Sequence, residues 1–81
     1  MTLPYAVYIL KCANNTYYTG FTTNIFNRLE AHRTKNVSYS KDKLPIDLVS
    51  VTFFRNKKRA CDFERYLKTG SGIAFRNKRL I

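Results

Sequence analysis

The sequence predicts an α+β domain whose strands and helices follow one another in the order ββαβαα. Two stretches rich in aromatic and β-branched residues, separated by an asparagine-containing turn, predict a β-hairpin near the amino terminus. A third such stretch lies mid-chain, and apolar residues at helical spacing follow both the hairpin and this third stretch. A chain of 81 residues has the size of one domain, so residues 1–81 are expected to fold as a single unit.

The predicted hairpin determines which tyrosines share a face of the sheet. Its first strand, Tyr5–Lys11, is apolar on both faces and is therefore expected at the centre of the sheet. The turn falls at residues 13–15, where asparagines tolerate positive φ angles, and Thr16–Phe21 forms the second strand. A three-residue loop would place Tyr8 and Tyr18 on one face, and a four-residue loop would place them on opposite faces. The sequence leaves both loops open.

The first helix brings an arginine and a histidine to the sheet. Thr22–Asn24 supplies candidate N-caps, and Ile25–Lys35 follows with helical periodicity. Arg28 and His32 are four residues apart, so they lie one turn from each other on one side of the helix, within or beside its apolar stripe. Both also have structural interpretations, as an arginine that covers apolar surface and as a hydrogen-bonded core histidine. Gly20 is expected to end the second strand and to form a backbone turn near them.

The remaining elements complete the predicted order. They are a polar loop, a strand and two helices, over residues 36–45, 46–54, 57–69 and 73–80. Asn56 is expected to cap the first of these two helices and Gly70 to end it, because asparagine favours N-caps and glycine favours the carboxyl ends of helices. Ser71 and Gly72 then lead into the last helix.

Glu64 is the sharpest single signal in the sequence. On its predicted helix it falls within the apolar stripe formed by Ala60, Phe63 and Leu67. A carboxylate on a buried surface costs several kcal/mol unless a cation neutralises it. Two explanations are open: a salt bridge to a basic neighbour such as Arg28, or a bound metal ion.

The charge of the chain indicates its binding partners. Fifteen lysines and arginines against five acidic residues give a net charge of +10, which favours nucleic acid first and an anionic membrane second. Two basic clusters flank the helix of Glu64: Lys57, Lys58, Arg59, Arg76, Lys78 and Arg79. We expect these clusters to contact a nucleic-acid backbone rather than to form only a solvated surface. No signal peptide and no apolar run of roughly 20 residues is visible, so we expect an intracellular, cytoplasmic protein without membrane contact.

The order and spacing of a few residues resemble the GIY-YIG nuclease family. The resemblance rests on two tripeptides and three later side chains: Ala6-Val7-Tyr8, Tyr18-Thr19-Gly20, Arg28, His32 and Glu64. The first tripeptide has Ala6 in place of the family's glycine, and the second keeps its tyrosine and glycine. The match covers nearly the whole chain. The stretch from Glu64 to Gly72 resembles the stand-alone, single-domain branch, which is similar to the incision domain of the bacterial excision-repair nuclease.

This resemblance implies a small three-stranded antiparallel sheet flanked by helices, with a phosphodiesterase site that uses one divalent metal ion, Mg²⁺ or Mn²⁺. By position, Glu64 would be the metal ligand, because Mg²⁺ often takes few protein ligands and completes its shell with water and phosphate. Arg28 would hold the scissile phosphate through its planar guanidinium. A tyrosine, Tyr8 in preference to Tyr18, would take a proton from the attacking water with help from His32.

We therefore predict a metal-dependent DNA endonuclease, acting in repair or recombination on branched or damaged DNA. Two other functions are open. One is a module that binds DNA or RNA and keeps the fold without efficient catalysis. The other is a nuclease subunit that depends on a protein partner for its specificity.

Overall fold

The computed structural model describes residues 3–33 and 45–81 and confirms the predicted α+β fold. Its elements, in chain order, are β1 (Tyr5–Cys12), β2 (Tyr17–Thr22), α1 (Ile25–Arg33), β3 (Ile46–Phe54), α2 (Lys57–Tyr66) and α3 (Gly70–Arg79). The strands form one antiparallel sheet in the order β2-β1-β3. The predicted last two residues of the first helix, 34–35, and most of the predicted polar loop, 36–45, lie outside the described residues.

β1 is the central strand, as its apolar composition predicted. All five residues from Ala6 to Leu10 are buried, because side chains of the helices pack on both faces of the sheet. One face, here called the α1 face, has a core of Ala6, Tyr8, Leu10, Ile25 and Leu29. The opposite face, here called the α2 face, has a core of Val7, Ile9, Ala60 and Leu67. Side chains alternate along β1, so neighbouring residues belong to different cores.

The hairpin between β1 and β2 has the three-residue loop. The backbone N–H of Cys12 donates to the carbonyl oxygen of Thr16 at 2.8 Å, which closes the loop across residues 13–15. Asn15 has a φ of 65°, in the left-handed region that asparagine tolerates better than most residues. The resulting register places Tyr8 and Tyr18 on the same face of the sheet.

The first turn and the buried stripe of α1 agree with the prediction. The Oδ1 of Asn24 accepts a hydrogen bond from the backbone N–H of Asn27 at 3.1 Å, which satisfies one of the free donors at the helix start. Ile25, Leu29 and His32 are the buried residues of the helix and face the sheet. The helix thus carries its histidine into the core.

The junction between α2 and α3 differs from the prediction. The first of these helices ends at Tyr66, and the second begins at Gly70 rather than at Ile73, so Gly70 does not end a helix. Thr69 is the reason: its hydroxyl donates to the Tyr66 carbonyl oxygen at 2.7 Å and accepts from the Gly72 N–H at 3.1 Å. Threonine is a good N-cap and a mediocre residue for a helix interior, so the prediction that Gly70 ends the preceding helix was wrong.

The start of α2 was predicted correctly. The Oδ1 of Asn56 accepts from the backbone N–H groups of Lys58 and Arg59 at 2.8 and 3.3 Å. Ala60 is fully buried against the sheet, which fixes the helix on the α2 face. Within residues 3–33 and 45–81, none of the helices has the length and apolar character needed to cross a membrane.

Candidate active site

A tyrosine hydroxyl on the α1 face connects three of the predicted site residues. The Nε of Arg28 donates to the hydroxyl oxygen of Tyr8 at 3.1 Å, and the Nε2 of His32 lies 3.2 Å from the same oxygen. Tyr8 and His32 are 0% exposed, whereas Arg28 is half-buried. The buried hydroxyl therefore has a partner on either side, which is what buried polar groups generally require.

Tyr18 completes this cluster from the neighbouring strand. The centroid of its ring lies 6.1 Å from that of Tyr8 and 5.3 Å from that of His32. These are separations at which aromatic rings are in favourable contact. β1, β2 and α1 thus bring together the four side chains that were predicted for catalysis. We call these residues the Tyr8 cluster: Tyr8, Tyr18, Arg28 and His32. Their chemical roles stay predictions.

Burial sets the protonation states within the Tyr8 cluster. It raises the pKa of Tyr8, although the hydrogen bond from Arg28 opposes this shift. It lowers the pKa of His32, and the positive charge of Arg28 lowers that pKa further. At neutral pH we therefore assign a protonated Tyr8 and a neutral His32. The Tyr8 hydroxyl then accepts from Arg28 and donates to Nε2 of His32, whose own proton is on Nδ1.

The lowered pKa of His32 makes the stability of the fold depend on pH. An unfolded histidine titrates at about pH 6.5, and the folded protein keeps His32 neutral to lower pH, so the unfolded chain binds more protons in that window. The stabilisation is complete above about pH 6.5 and is lost as the pH falls through the folded-state pKa. We expect the Tm to fall between about pH 7.5 and pH 5, and to fall less in His32→Gln, which keeps a neutral acceptor beside Tyr8. Equal slopes in the two proteins would contradict this.

Gly20 lies within β2, opposite Tyr8, and not in the backbone turn predicted for it. β2 continues to Thr22 because Phe21 and Thr22 still pair with β1, so the strand does not stop at the glycine. None of the glycines among the described residues has a positive φ. Glycine is required at position 20 for space, since a Cβ there would overlap the hydroxyl and ring of Tyr8.

Replacing Gly20 by alanine is expected to destabilise the protein by about 1–3 kcal/mol, the usual cost of overpacking a core. Tyr8 is fully buried and hydrogen-bonded, so it has no room to move away from the new methyl group. Gly70→Ala is the matched control, because a Cβ at Gly70 meets nothing within 4 Å. That variant should be neutral or slightly stabilised. Thermal melts of both variants give the test, and equal Tm values would show that Tyr8 is not rigidly held.

Glu64 forms an ion pair along α2. Its Oε2 lies 3.1 Å from the Nζ of Lys68, one turn further along the chain. The side chain of Glu64 is 23% exposed, so it is less buried than its place in the apolar stripe predicted. Of the two explanations left open by the sequence, the salt bridge is present, with Lys68 rather than Arg28 as the partner. A part-exposed pair at this i,i+4 spacing contributes only about 0.3–0.5 kcal/mol.

The surroundings of Glu64 fit a metal ion that takes few protein ligands. Among the residues that the structure describes, no three His, Cys, Asp or Glu side chains are grouped so that they could hold a metal. The described residues therefore do not form a closed site of the kind that holds structural zinc. Mg²⁺ differs, because one or two carboxylates commonly hold it while water and substrate phosphate fill its other positions. Glu64 fits this second description, with Lys68 as the cation that a metal ion would replace.

An open groove runs around the edge of the sheet beside the Tyr8 cluster. It has a volume of about 360 Å³ and is lined by Tyr17, Tyr18, Thr19, Leu67, Lys68, Ile73 and Arg76. Tyr18 belongs both to the groove and to the Tyr8 cluster. Lys68 belongs both to the groove and to the ion pair of Glu64. The groove therefore has one residue in common with the Tyr8 cluster and one with the ion pair of Glu64, while Arg28 and Glu64 do not line it.

The profile of the GIY-YIG catalytic domain matches residues 4–77 of the chain. The chain belongs to the GIY-YIG family. GIY-YIG domains are generally endonuclease domains, which indicates nucleic acid as the class of substrate. The match spans the first five elements and α3 as far as residue 77, so it also includes the segment that carries Glu64.

The relatives of this GIY-YIG chain are proteins of similar size. It is 41% identical over 63 residues to UPF0213 protein CPE1444 of Clostridium perfringens, covering 76% of this chain and 68% of that protein. It is 41% identical over 66 residues to UPF0213 protein SH2523 of Staphylococcus haemolyticus, covering 80% of each. A solution NMR structure of UPF0213 protein BH0048 from Bacillus halodurans is similar with a TM-score of 0.59 and 31% identity, covering 91% of this chain and 80% of that one.

The six basic residues predicted to bind nucleic acid lie at different places on the GIY-YIG domain. Residues 57–59 form the first turn of α2, and Lys58 pairs there with Asp62 at 3.0 Å. The groove meets the opposite end of this ten-residue helix, about 15 Å away. Arg76 lines the groove itself, whereas Lys78 and Arg79 are exposed in the last turn of α3. A nucleic acid in the groove would thus meet Arg76 first.

Five residues that line the groove were not among the predicted site residues: Tyr17, Thr19, Leu67, Lys68 and Ile73. Lys68 follows Glu64 by four positions, a spacing at which Glu–Lys pairs form on helices, so this signal was present in the sequence. Tyr17 was treated as an ordinary strand residue. Its place in the groove depends on how α3 packs against β2, which no local pattern in the sequence specifies.

Proposed function

We propose that this GIY-YIG domain is an endonuclease that hydrolyses phosphodiester bonds in DNA with the help of a divalent metal ion, and that it acts in DNA repair or recombination. The observation that carries the proposal is the Tyr8 cluster. In it an arginine, a histidine and two tyrosines are in contact, and one of the tyrosines, Tyr18, also lines an open groove. A net charge of +10 supports a polyanionic substrate.

Arg28 is the residue that we assign to the scissile phosphate. Its Nε is bonded to Tyr8 at 3.1 Å, and this bond raises the pKa of Arg28, which keeps the guanidinium charged. The same bond fixes the orientation of the guanidinium plane. The remaining N–H groups of the fork are suited to the charge that develops on phosphate oxygens in the transition state.

The two tyrosines and His32 form the route that we assign to the proton of the attacking water. A tyrosine that takes the proton of the water gives up its own hydroxyl proton in the same step. The proton of Tyr8 would pass to Nε2 of His32, which is neutral and 3.2 Å away, and the proton of Tyr18 would pass to the hydroxyl of Tyr8, its hydrogen-bond partner, as the proton of Tyr8 moves to His32. Tyr8 is fully buried, whereas Tyr18 is half-buried and lines the groove. This exposure favours Tyr18 as the hydroxyl that meets water. The preference for Tyr8 drawn from the family resemblance stays a prediction, which single-turnover cleavage by Tyr8→Phe and Tyr18→Phe can decide.

Glu64 is the residue that we assign to the metal ion. Bound there, Mg²⁺ or Mn²⁺ would stabilise the negative charge on the leaving 3′ oxygen. Glu64 is part-exposed beside the groove-lining Lys68, and its ion pair with that lysine is weak enough to be exchanged.

The test is cleavage of a substrate panel by the purified chain. The panel contains single-stranded, double-stranded, flapped and branched DNA and the matching RNA strands, each incubated with Mg²⁺, with Mn²⁺ or with EDTA. We expect endonucleolytic cleavage of at least one DNA substrate with metal and none in EDTA. Binding without cleavage under every condition would support the alternative, a binding module or a subunit that needs a protein partner. Cleavage that persists in EDTA would contradict the role of the metal.

A further inference from the structure

We propose that the groove along β2 binds the base of an unpaired nucleotide next to the phosphate that is cut. The inference rests on the proposed binding of nucleic acid and narrows the substrate to DNA with an unpaired base at the site, as in a bulge or at a flap junction. Three features of the groove support it: a stacking platform, an open strand edge and a pair of cations, with Arg76 in both the first and the last.

The stacking platform is made by Arg76 and Tyr17. The guanidinium carbon of Arg76 lies 5.0 Å from the centroid of the Tyr17 ring, within the range of a cation–π contact. The Nε and Nη2 of Arg76 also donate to the Oδ1 of Asn77 at 3.1 and 3.0 Å, which restricts rotation of the guanidinium. A planar group held in this way offers a flat surface on which a nucleobase can stack.

The open strand edge supplies backbone N–H and C=O groups that can form hydrogen bonds with the edge of a nucleobase. β2 is an outer strand of the sheet, because the strand order is β2-β1-β3. The carbonyl of Thr16 bonds to β1, and in an antiparallel pair alternate residues point their backbone groups to the partner strand. Tyr17 and Thr19 therefore direct their N–H and C=O groups away from β1, at the edge where both line the groove.

The cations and the neighbouring cluster place a phosphate at the end of the groove. Lys68 and Arg76 contribute positive charge to the lining, and Tyr18 connects the groove with Tyr8 and His32. A base in the groove would thus have its flanking phosphate near the Tyr8 cluster. A base within a duplex is already paired at its edge and stacked on both sides, so an unpaired base can enter at much lower cost.

The experiment compares two DNA duplexes that differ only in one bulged position, which carries adenine in one and an abasic site in the other. Affinities are measured by fluorescence anisotropy in EDTA, so that no cleavage is needed. We expect the adenine bulge to bind about tenfold more tightly, as stacking of one base permits. Arg76→Lys keeps the charge but loses the planar group, so it should reduce this preference below about threefold with little change in affinity for fully paired DNA. Arg33→Lys, at an exposed position of α1 that belongs to neither basic cluster, should keep the preference.

Equal affinity of the wild-type protein for the adenine and abasic bulges would overturn the inference, and so would no binding to either. The same loss of preference in Arg33→Lys as in Arg76→Lys would also overturn it, since the platform would then have no special role. A base preference in a protein that never cleaves would leave this inference standing and defeat the proposed nuclease activity. Cleavage without a base preference would overturn this inference and leave the proposed nuclease activity standing. The edge of β2 would then be available to pair with an extended protein segment.

Discussion

Replacing Arg28 by lysine is expected to lower the single-turnover rate of DNA cleavage about a thousandfold, which corresponds to about 4 kcal/mol of lost transition-state stabilisation. Lysine keeps the positive charge but lacks the planar fork. In the structure one nitrogen of that fork is already bonded to Tyr8 at 3.1 Å. A lysine has a single nitrogen, so it would have to give up either the bond to Tyr8 or the contact with phosphate.

Arg33→Lys is the matched control, because Arg33 is an exposed arginine at the end of the same helix. Its cleavage rate should stay within about threefold of wild type, as expected of a surface residue away from the reacting groups. Melts of both variants show whether they are folded. An Arg28→Lys protein that is folded and cuts within about tenfold of the wild-type rate would remove Arg28 from the proposed site.

Replacing Glu64 by glutamine is expected to lower cleavage in Mg²⁺ by at least about a thousandfold, because the metal loses the carboxylate assigned to hold it. The same change should alter the free energy of unfolding in EDTA by no more than about 0.5 kcal/mol, since its ion pair with Lys68 is a part-exposed i,i+4 pair. Thermal melts in EDTA and single-turnover cleavage in Mg²⁺ measure the two effects separately.

Asp62→Asn is the control for this prediction, because Asp62 is another carboxylate of α2 with cationic partners. It pairs with Lys58 at 3.0 Å and with Arg65 at 2.7 Å, and these two cations lower its pKa. Its neutralisation removes the same charge from the same helix and should leave cleavage unchanged. If Glu64→Gln melts much earlier yet cuts at the wild-type rate, Glu64 has a structural role and the metal assignment is wrong.

The fold could be predicted closely from the sequence because its strongest signals are local. The apolar run of β1 and the asparagine caps act within a few residues, and their consequences were read correctly. The length of the hairpin loop could not be chosen, because it depends on Asn15 adopting a positive φ. The end of α2 was predicted too late in the chain because Gly70 can end one helix and Thr69 can cap the next. The cap is what forms, because the Thr69 hydroxyl bonds to both Tyr66 and Gly72.

The candidate site was only partly visible in the sequence. Helical spacing placed Arg28 and His32 together and singled out Glu64, and the family resemblance added the roles of the tyrosines and of Glu64 as a metal ligand. The common hydroxyl that bonds to both Arg28 and His32 could not be derived, since it depends on the distance between β1 and α1. The groove depends in the same way on α3, whose packing brings Arg76 over Tyr17.

The burial of Tyr8 determines which side chains related proteins can lose once nuclease activity is no longer selected. Tyr8 fills the centre of the α1-face core, so its loss would unfold the domain whether or not the domain cuts anything. Arg28 is half-buried and is not part of that core, so it can be lost at much smaller cost to the fold. A lineage that drifts away from catalysis should therefore keep the tyrosine long after it has lost the arginine. Among related chains, the residue at the position of Arg28, and not the one at the position of Tyr8, should distinguish active nucleases from proteins that keep the fold without cleaving.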